Sequence, residues 1–307
     1  DERFFLFWHD YQPHYPYEPP MEYDVFSYEN YSGIVNTRPT RDDPVCKGIS
    51  NSVEKDWCNT KTGYYFNLIL ENLTDKDFAH VKAMYDGEIL AVNAKFSRLV
   101  NLLGEKGILD KTIIVFTSDH GESFAERDSH KRIGHTLMYE EVLRVPLIIK
   151  APSLTKQVRV EPVVESIDIM PTILDLLGIT VPEGLDGESL LDKTGDFSAY
   201  SENFGEGGDM EDYSIRNENL KLIFYKRMMD PEFRERREKD EYELYDLSQD
   251  AREQKNIYGL NTSPEIQMRD MLYDRIQDNK TITEKTELDA ETIKRLQDLG
   301  YLAGKHA

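Results

Sequence analysis

Basic residues are in short supply in this chain. Its 37 Lys and Arg face 58 Asp and Glu, for a formal net charge of −21. That balance excludes the basic footprint of a nucleic-acid binder and is repelled by anionic membrane surfaces. An anionic substrate would have to be met by positive charge supplied locally, from a metal ion or a few His, Lys or Arg side chains. No stretch approaches the roughly 18 consecutive apolar residues of a membrane-spanning helix. Only two cysteines occur, Cys46 and Cys58, both in the polar segment 40–62. Two cysteines cannot fill an all-cysteine tetrahedral site, and their spacing fits no zinc pattern. A short-loop disulfide in an exported protein and a pair of free thiols both fit. Internal repeats, low-complexity tracts and a signal peptide are also missing. A start at Asp1, directly ahead of an apolar run, reads as a mature or truncated piece. No address can be read from it, although a periplasmic or extracellular one is preferred to a cytoplasmic one.

What is present is an alternation of strand-like and helix-like segments. Residues 4–8 (Phe-Phe-Leu-Phe-Trp) form a short apolar run expected to be a buried strand. A loop rich in Pro, Tyr and His follows over 9–20, then an irregular polar stretch over 23–62, expected to be an insertion. Apolar residues at three- and four-residue steps predict a long helix over 75–104, with Asp75 as N-cap and Gly104 or Gly107 as the stop. Residues 112–117 and 145–150 read as strands, and 167–177 as a helix with Pro171 in its first turn. This order predicts an α/β fold with a largely parallel sheet flanked by helices. Beyond about residue 192 the pattern changes. Short strands over 199–203, 213–215, 221–225 and 243–247 predict a small antiparallel subdomain. A charged run over 234–239 and amphipathic helices over 264–278 and 289–299 complete it. The expected division is 1–192 and 193–307.

Three segments carry groups capable of chemistry. Strand 112–117 delivers Asp119, His120 and Gly121 to its carboxyl end, the edge where ligands bind in open α/β folds. Asp offers a hard oxygen and His an imidazole nitrogen, so the pair suits a metal ion. An Asp capping the next turn beside a surface His is the alternative. Residues 129–135 (Ser-His-Lys-Arg-Ile-Gly-His) gather cationic groups in an acidic chain, suited to an anionic ester group or simply to solvent. The loop 9–20 holds His9 and His14, stiffened by prolines. His14 could contact a ligand or protonate a leaving group, and a Pro-rich loop packing its aromatics is the plainer reading.

Taken together, these strings resemble the sulfatase family of the alkaline-phosphatase superfamily. The resemblance rests on the Pro-His-Tyr-Pro loop within 5–20, Tyr-Asp-Gly-Glu-Ile at 85–89 and Val-Phe-Thr-Ser-Asp-His-Gly-Glu at 115–122. It continues through Gly-His-Thr-Leu-Met-Tyr-Glu-Glu-Val-Leu-Arg-Val-Pro at 134–146, the helix at 168–179, Leu-Asp-Gly-Glu-Ser-Leu at 185–190, Glu-Leu-Tyr-Asp-Leu at 243–247 and Leu-Gly-Tyr-Leu at 299–302. It covers nearly the whole chain apart from 23–62. It implies that Asp119 and His120 bind a divalent cation, calcium by resemblance. His120 leaves manganese or zinc open, and magnesium is a further option. It implies that His14 and His135 contact the sulfate, with Lys131 a second candidate, and that His9 supports the loop.

Departures from the family pattern matter equally. Sulfatases carry an earlier Asp-Asp pair that completes the metal site. They also carry a Cys- or Ser-x-Pro-x-Arg motif whose first residue becomes the formylglycine nucleophile. Cys46 is followed by Lys47-Gly48-Ile49-Ser50 and Cys58 by Asn59-Thr60-Lys61-Thr62, so neither matches. The formylglycine is therefore expected in a missing N-terminal part, and the isolated chain is expected to be inactive. The function this implies is hydrolysis of a sulfate ester, on a sulfated carbohydrate or an aryl sulfate. Phosphonate monoester or phosphodiester hydrolysis on the same scaffold is one alternative. A non-catalytic binding module on a degenerate scaffold is the other.

Overall fold

A computed structural model describes residues 3–27, 31–35, 69–127, 131–160, 162–191, 197–204, 211–226 and 240–280. Cys46, Cys58, the charged run 234–239, the helix expected over 289–299 and the string 299–302 lie outside them, as does most of 23–62.

The long helix α1 spans Asp75–Glu105. Thr74 rather than Asp75 is its N-cap: the Thr74 amide donates to Asp77 Oδ2 at 2.7 Å, which satisfies a terminal donor. Gly107, at φ +67°, ends it in the left-handed conformation that glycine adopts without strain. Strand β1 (Ile114–Thr117) follows. The chain then forms a small hairpin of β2 (Ser123–Phe124) and β3 (Ile133–Gly134), a single-turn helix α2 (Glu140–Leu143), and strand β4 (Leu147–Lys150). Helix α3 (Ile169–Leu176) comes next, with Pro171 in its first turn as expected.

β4 pairs with β1 antiparallel, Ile114 opposite Lys150 and Thr117 opposite Leu147. Every ladder among the described residues is antiparallel. The largely parallel sheet read from the sequence is thus not found among them. A parallel pair needs a crossover between its strands. Here the hairpin and α2 bring the chain straight back alongside β1, while α1 precedes both strands. The expected buried strand over 4–8 is corrected by the structure. It joins no described ladder and is exposed, Phe5 at 83% and Phe7 at 77%.

The C-terminal strands form one antiparallel sheet in sequence order: β5 (Ala199–Phe204), β6 (Glu211–Arg216), β7 (Leu220–Tyr225) and β8 (Glu241–Asp246). Helix α4 (Ser263–Lys280) covers one face. Alternation along a strand sends neighbouring side chains to opposite faces. Leu222 and Phe224 pack with Met268, Leu272 and Ile276 of α4. Ile223 and Tyr225 cluster on the other face with Leu137, Met138 and Tyr139, which lead into α2. The sheet therefore lies directly behind the segment leading into α2. No described helix is long and apolar enough to cross a membrane.

Candidate functional site

The loop bearing His14 is clamped onto α1 by polar and aromatic contacts. Lys95 donates to Asp10 Oδ2 at 2.9 Å and to Gln12 Oε1 at 2.7 Å. Tyr17 is fully buried and packs edge-on against Tyr85. The Glu18 amide donates to Glu88 Oε1 at 2.8 Å. Pro19 lies over Gly87, where an added Cβ would come within 2.8 Å of it. Glu88 is 2% exposed, and burial, opposed by the Glu18 amide, pushes its carboxyl up to about 7.

The second wall of the site is the turn after β1. Ser118 Oγ donates to the His120 carbonyl at 2.6 Å, and the His120 amide donates to Asp119 Oδ1 at 3.0 Å. The Gly121 amide then donates to the Val142 carbonyl at 2.7 Å and the Glu122 amide to the Glu141 carbonyl at 3.1 Å. Gly121 runs so close to α2 that a Cβ there would lie 2.1 Å from the Glu141 carbonyl oxygen. Only glycine permits that approach. The third wall is His135, which follows β3.

These elements bring three imidazoles together. His120 and His135 stack with centroids 4.0 Å apart, and His14 lies 5.4 Å from His135 and 6.5 Å from His120. His14 Nδ1 sits 2.7 Å from the Tyr15 carbonyl and His120 Nδ1 2.8 Å from the Gly121 carbonyl. A carbonyl oxygen only accepts, so Nδ1 carries the hydrogen in both rings and Nε2 of the neutral ring keeps its lone pair. Burial lowers the His14 pKa below 6.5; His135 and His120 add to this, while the Tyr15 carbonyl and Glu122 oppose it. At Asp119, burial works to raise the pKa, but His120, backbone amides and His9 outweigh it and hold the carboxyl below its usual range.

Asp119 and His120 suit a shared cation. His120 Nε2 lies 3.8 Å from Asp119 Oδ2, and a divalent ion holds such donors at roughly 2.0–2.6 Å. The carbonyl partner on Nδ1 is the arrangement that orients a metal-binding histidine. Among the described residues no group of three or more His, Cys, Asp or Glu is arranged to hold a metal.

Lys131, on the connection leading into β3, is exposed. Several polar residues around the site went unassigned in the sequence reading. Glu122, its side chain 4% exposed, places Oε1 3.8 Å from His135 Nδ1. Arg127, Glu141, Lys221 and Glu253 form a buried charge cluster behind α2. A signal existed for Lys221: it interrupts the otherwise apolar run Leu-Lys-Leu-Ile-Phe-Tyr at 220–225. Glu253, in a polar turn, gave none.

A family model described as Sulfatase matches residues 1–179, and one described as N-sulphoglucosamine sulphohydrolase, C-terminal, matches residues 129–281. The N-acetylglucosamine-6-O-sulfatase of Bacteroides thetaiotaomicron is 36% identical over 189 residues, which is 57% of this chain and 31% of that protein. Arylsulfatase K of Bos taurus is 37% identical over 118 residues, 38% of this chain and 21% of its own length. The chain thus spans about a third or less of these curated relatives. Among solved structures, one protein in complex with its substrate D-glucosamine-2-N,6-O-disulfate matches with a TM-score of 0.59 at 23% identity, covering 90% of this chain and 66% of its own. The phosphonate monoester hydrolase of Silicibacter pomeroyi matches with a TM-score of 0.60 at 24% identity, covering 91% and 57%. At such identities the likeness is one of fold.

Proposed function

The chain belongs to the sulfatase family, and on that premise we propose that it forms part of a sulfuric ester hydrolase, holding a cation and binding the sulfate. The observation that carries this reading is the convergence of His14, His120 and His135 beside Asp119, with centroids 4.0–6.5 Å apart. Asp119 and His120 are the cation ligands in this reading, with calcium first and manganese or magnesium as alternatives. When bound, such an ion supplies positive charge against the oxygens of the sulfate. His135 and His14 bind the transferring group, with Lys131 as a further cationic contact. An anion beside His14 favours its charged form. Substrate binding therefore offsets the burial that keeps this ring neutral, and Nε2 then has a proton for the departing oxygen. The nucleophile in this reading is a formylglycine on the remainder of the protein. The substrate class is a sulfated carbohydrate or an aryl sulfate, and the 36% identical N-acetylglucosamine-6-O-sulfatase supports the carbohydrate.

Sulfate release from a sulfated glucosamine and from an aryl sulfate, measured on the complete protein, tests the reading. It should fall to background in His14→Ala and His135→Ala. Phosphonate ester hydrolysis is the second reading, on a fold that a phosphonate monoester hydrolase shares. Faster turnover of an aryl phosphonate than of the sulfates would put that reading first.

A further inference from the structure

The Asp119–His120 turn, held locally by Ser118, also rests on a neighbouring element. Its backbone leans on α2, through the Gly121 amide on the Val142 carbonyl and the Glu122 amide on the Glu141 carbonyl. α2 is a single turn, too short to be stable alone, so its position must come from what grips it. The grip is ionic and buried. Arg127, its side chain 5% exposed, forks onto both Glu141 oxygens, with Nη2 2.9 Å from Oε2. The same guanidinium lies 3.7 Å over the Tyr139 ring and donates to the Arg252 carbonyl at 3.0 Å, the Glu253 carbonyl at 3.2 Å and Glu253 Oε2 at 3.1 Å. The Glu140 amide donates to Glu253 Oε2 at 2.8 Å. From β7, Lys221 reaches Glu140 Oε1 at 3.2 Å and Glu253 Oε1 at 2.9 Å, and from β6, Arg216 Nε reaches Glu140 Oε1 at 3.2 Å.

The cluster balances: Arg127, Lys221 and Arg216 against Glu140, Glu141 and Glu253. Lys221 and Glu253 have side chains 0% exposed. Glu253 also adopts φ +53°, a conformation uncommon for a residue other than glycine, so local preference did not choose it. Burying ions this way is often no better for stability than apolar packing of the same shape. Its advantage is directional where the contact is a hydrogen bond: the Arg127 fork on Glu141 and the Lys221–Glu140 bond fix an angle as well as a distance, while Arg216–Glu140 and Lys221–Glu253 Oε1 are ion pairs without hydrogen-bond geometry.

We infer that this charge cluster is a positioning device, through which Lys221 and Arg216 of the four-stranded sheet and Glu253 of the turn after it set α2 and hence the Asp119–His120 turn. The inference rests on reading Asp119 and His120 as cation ligands for its consequence, but its geometry does not depend on that reading. These are positioning residues: they act through the backbone of α2.

Two measurements test it: hydrogen exchange at the Gly121 and Glu122 amides, and Mn2+ affinity by titration of the complete protein. The variants are Glu141→Gln, which unpairs one fork, and Lys221→Met, which removes the link to β7. Exchange at Gly121 and Glu122 should rise by about tenfold or more. Amides of Leu222 and Ser214 in the sheet should stay protected, and Mn2+ affinity should fall in parallel. Lys221→Met leaves buried carboxylates unpaired; if it opens the sheet, Glu141→Gln alone decides. Unchanged exchange at Gly121 and Glu122 in Glu141→Gln, with the Arg127 pair broken, would overturn the inference and leave the cluster as packing. A complete protein that binds no Mn2+, Ca2+ or Mg2+ would instead sink the cation reading, while the exchange result still decides the positioning.

Discussion

Two parts of the molecule start from similar apolar strand sequences and end differently. In the sheet of β5 to β8, the strand Leu-Lys-Leu-Ile-Phe-Tyr (Leu220–Tyr225) is buried from Lys221 onward on both faces, because α4 seals one side and residues 137–139 the other. In the ladder of β1 and β4, Ile-Val-Phe-Thr and Leu-Ile-Ile-Lys are no less apolar, yet Ile148 is 62% exposed. Phe96 and Val100 of α1 and Leu109, Ile114, Phe116 and Ile148 line an open groove of about 300 Å³ there. Apolar sequence supplies the driving force for burial, but a second layer decides whether it is realised.

The largest expected effect lies in the sealed sheet. Leu222→Ala removes a side chain that is 0% exposed and should cost about 2–5 kcal/mol in chemical denaturation. A loss as small as that of a surface change would mean that the second face is not packed. Next is the attachment of the His14 loop, which depends on a buried carboxyl. The Glu88 pKa in the folded protein, about 7, lies above its ordinary 4.5. The folded chain keeps a proton that the unfolded chain releases, so stability falls as pH rises from 4.5 to 7, by about 3 kcal/mol at most. Glu88→Gln should flatten that slope in denaturation series at several pH values; an unchanged slope would assign it to other groups. Gly121→Ala, whose Cβ would meet the Glu141 carbonyl at 2.1 Å, must push the turn off α2. It should cost about 1–3 kcal/mol and weaken Mn2+ binding, where unaltered affinity would mean that the turn can move freely. Smallest is Ile148→Ala on the open ladder, expected within about 0.5 kcal/mol. A cost near that of Leu222→Ala would show the groove to be covered in solution.

Much of the architecture was legible along the chain. Periodicity located α1, α3, α4 and the four C-terminal strands to within a few residues, because each carries its own hydrophobic pattern and its own breaker, such as Gly107 after α1. The strand read at 4–8 failed for the opposite reason: an apolar run becomes a buried strand only when another strand accepts its hydrogen bonds. The antiparallel pairing of β1 and β4 was likewise invisible, since direction depends on how 118–146 return the chain.

For the site, the sequence by itself determined the reactive groups: Asp119 and His120 after a strand, His14 in a proline-stiffened loop, His135 after a glycine, and Lys131 nearby. Their residue types and local strings were enough to name them. Only the tertiary structure decided that three imidazoles share one space, and that Glu122 lies beside them, Glu88 under the His14 loop, and Lys221 and Glu253 behind α2. Their partners lie far along the chain, Lys221 being 81 residues from Glu140 and Arg127 126 from Glu253. A charge in a strand reads as a misplaced surface residue until folding brings its counter-ions within about 3 Å.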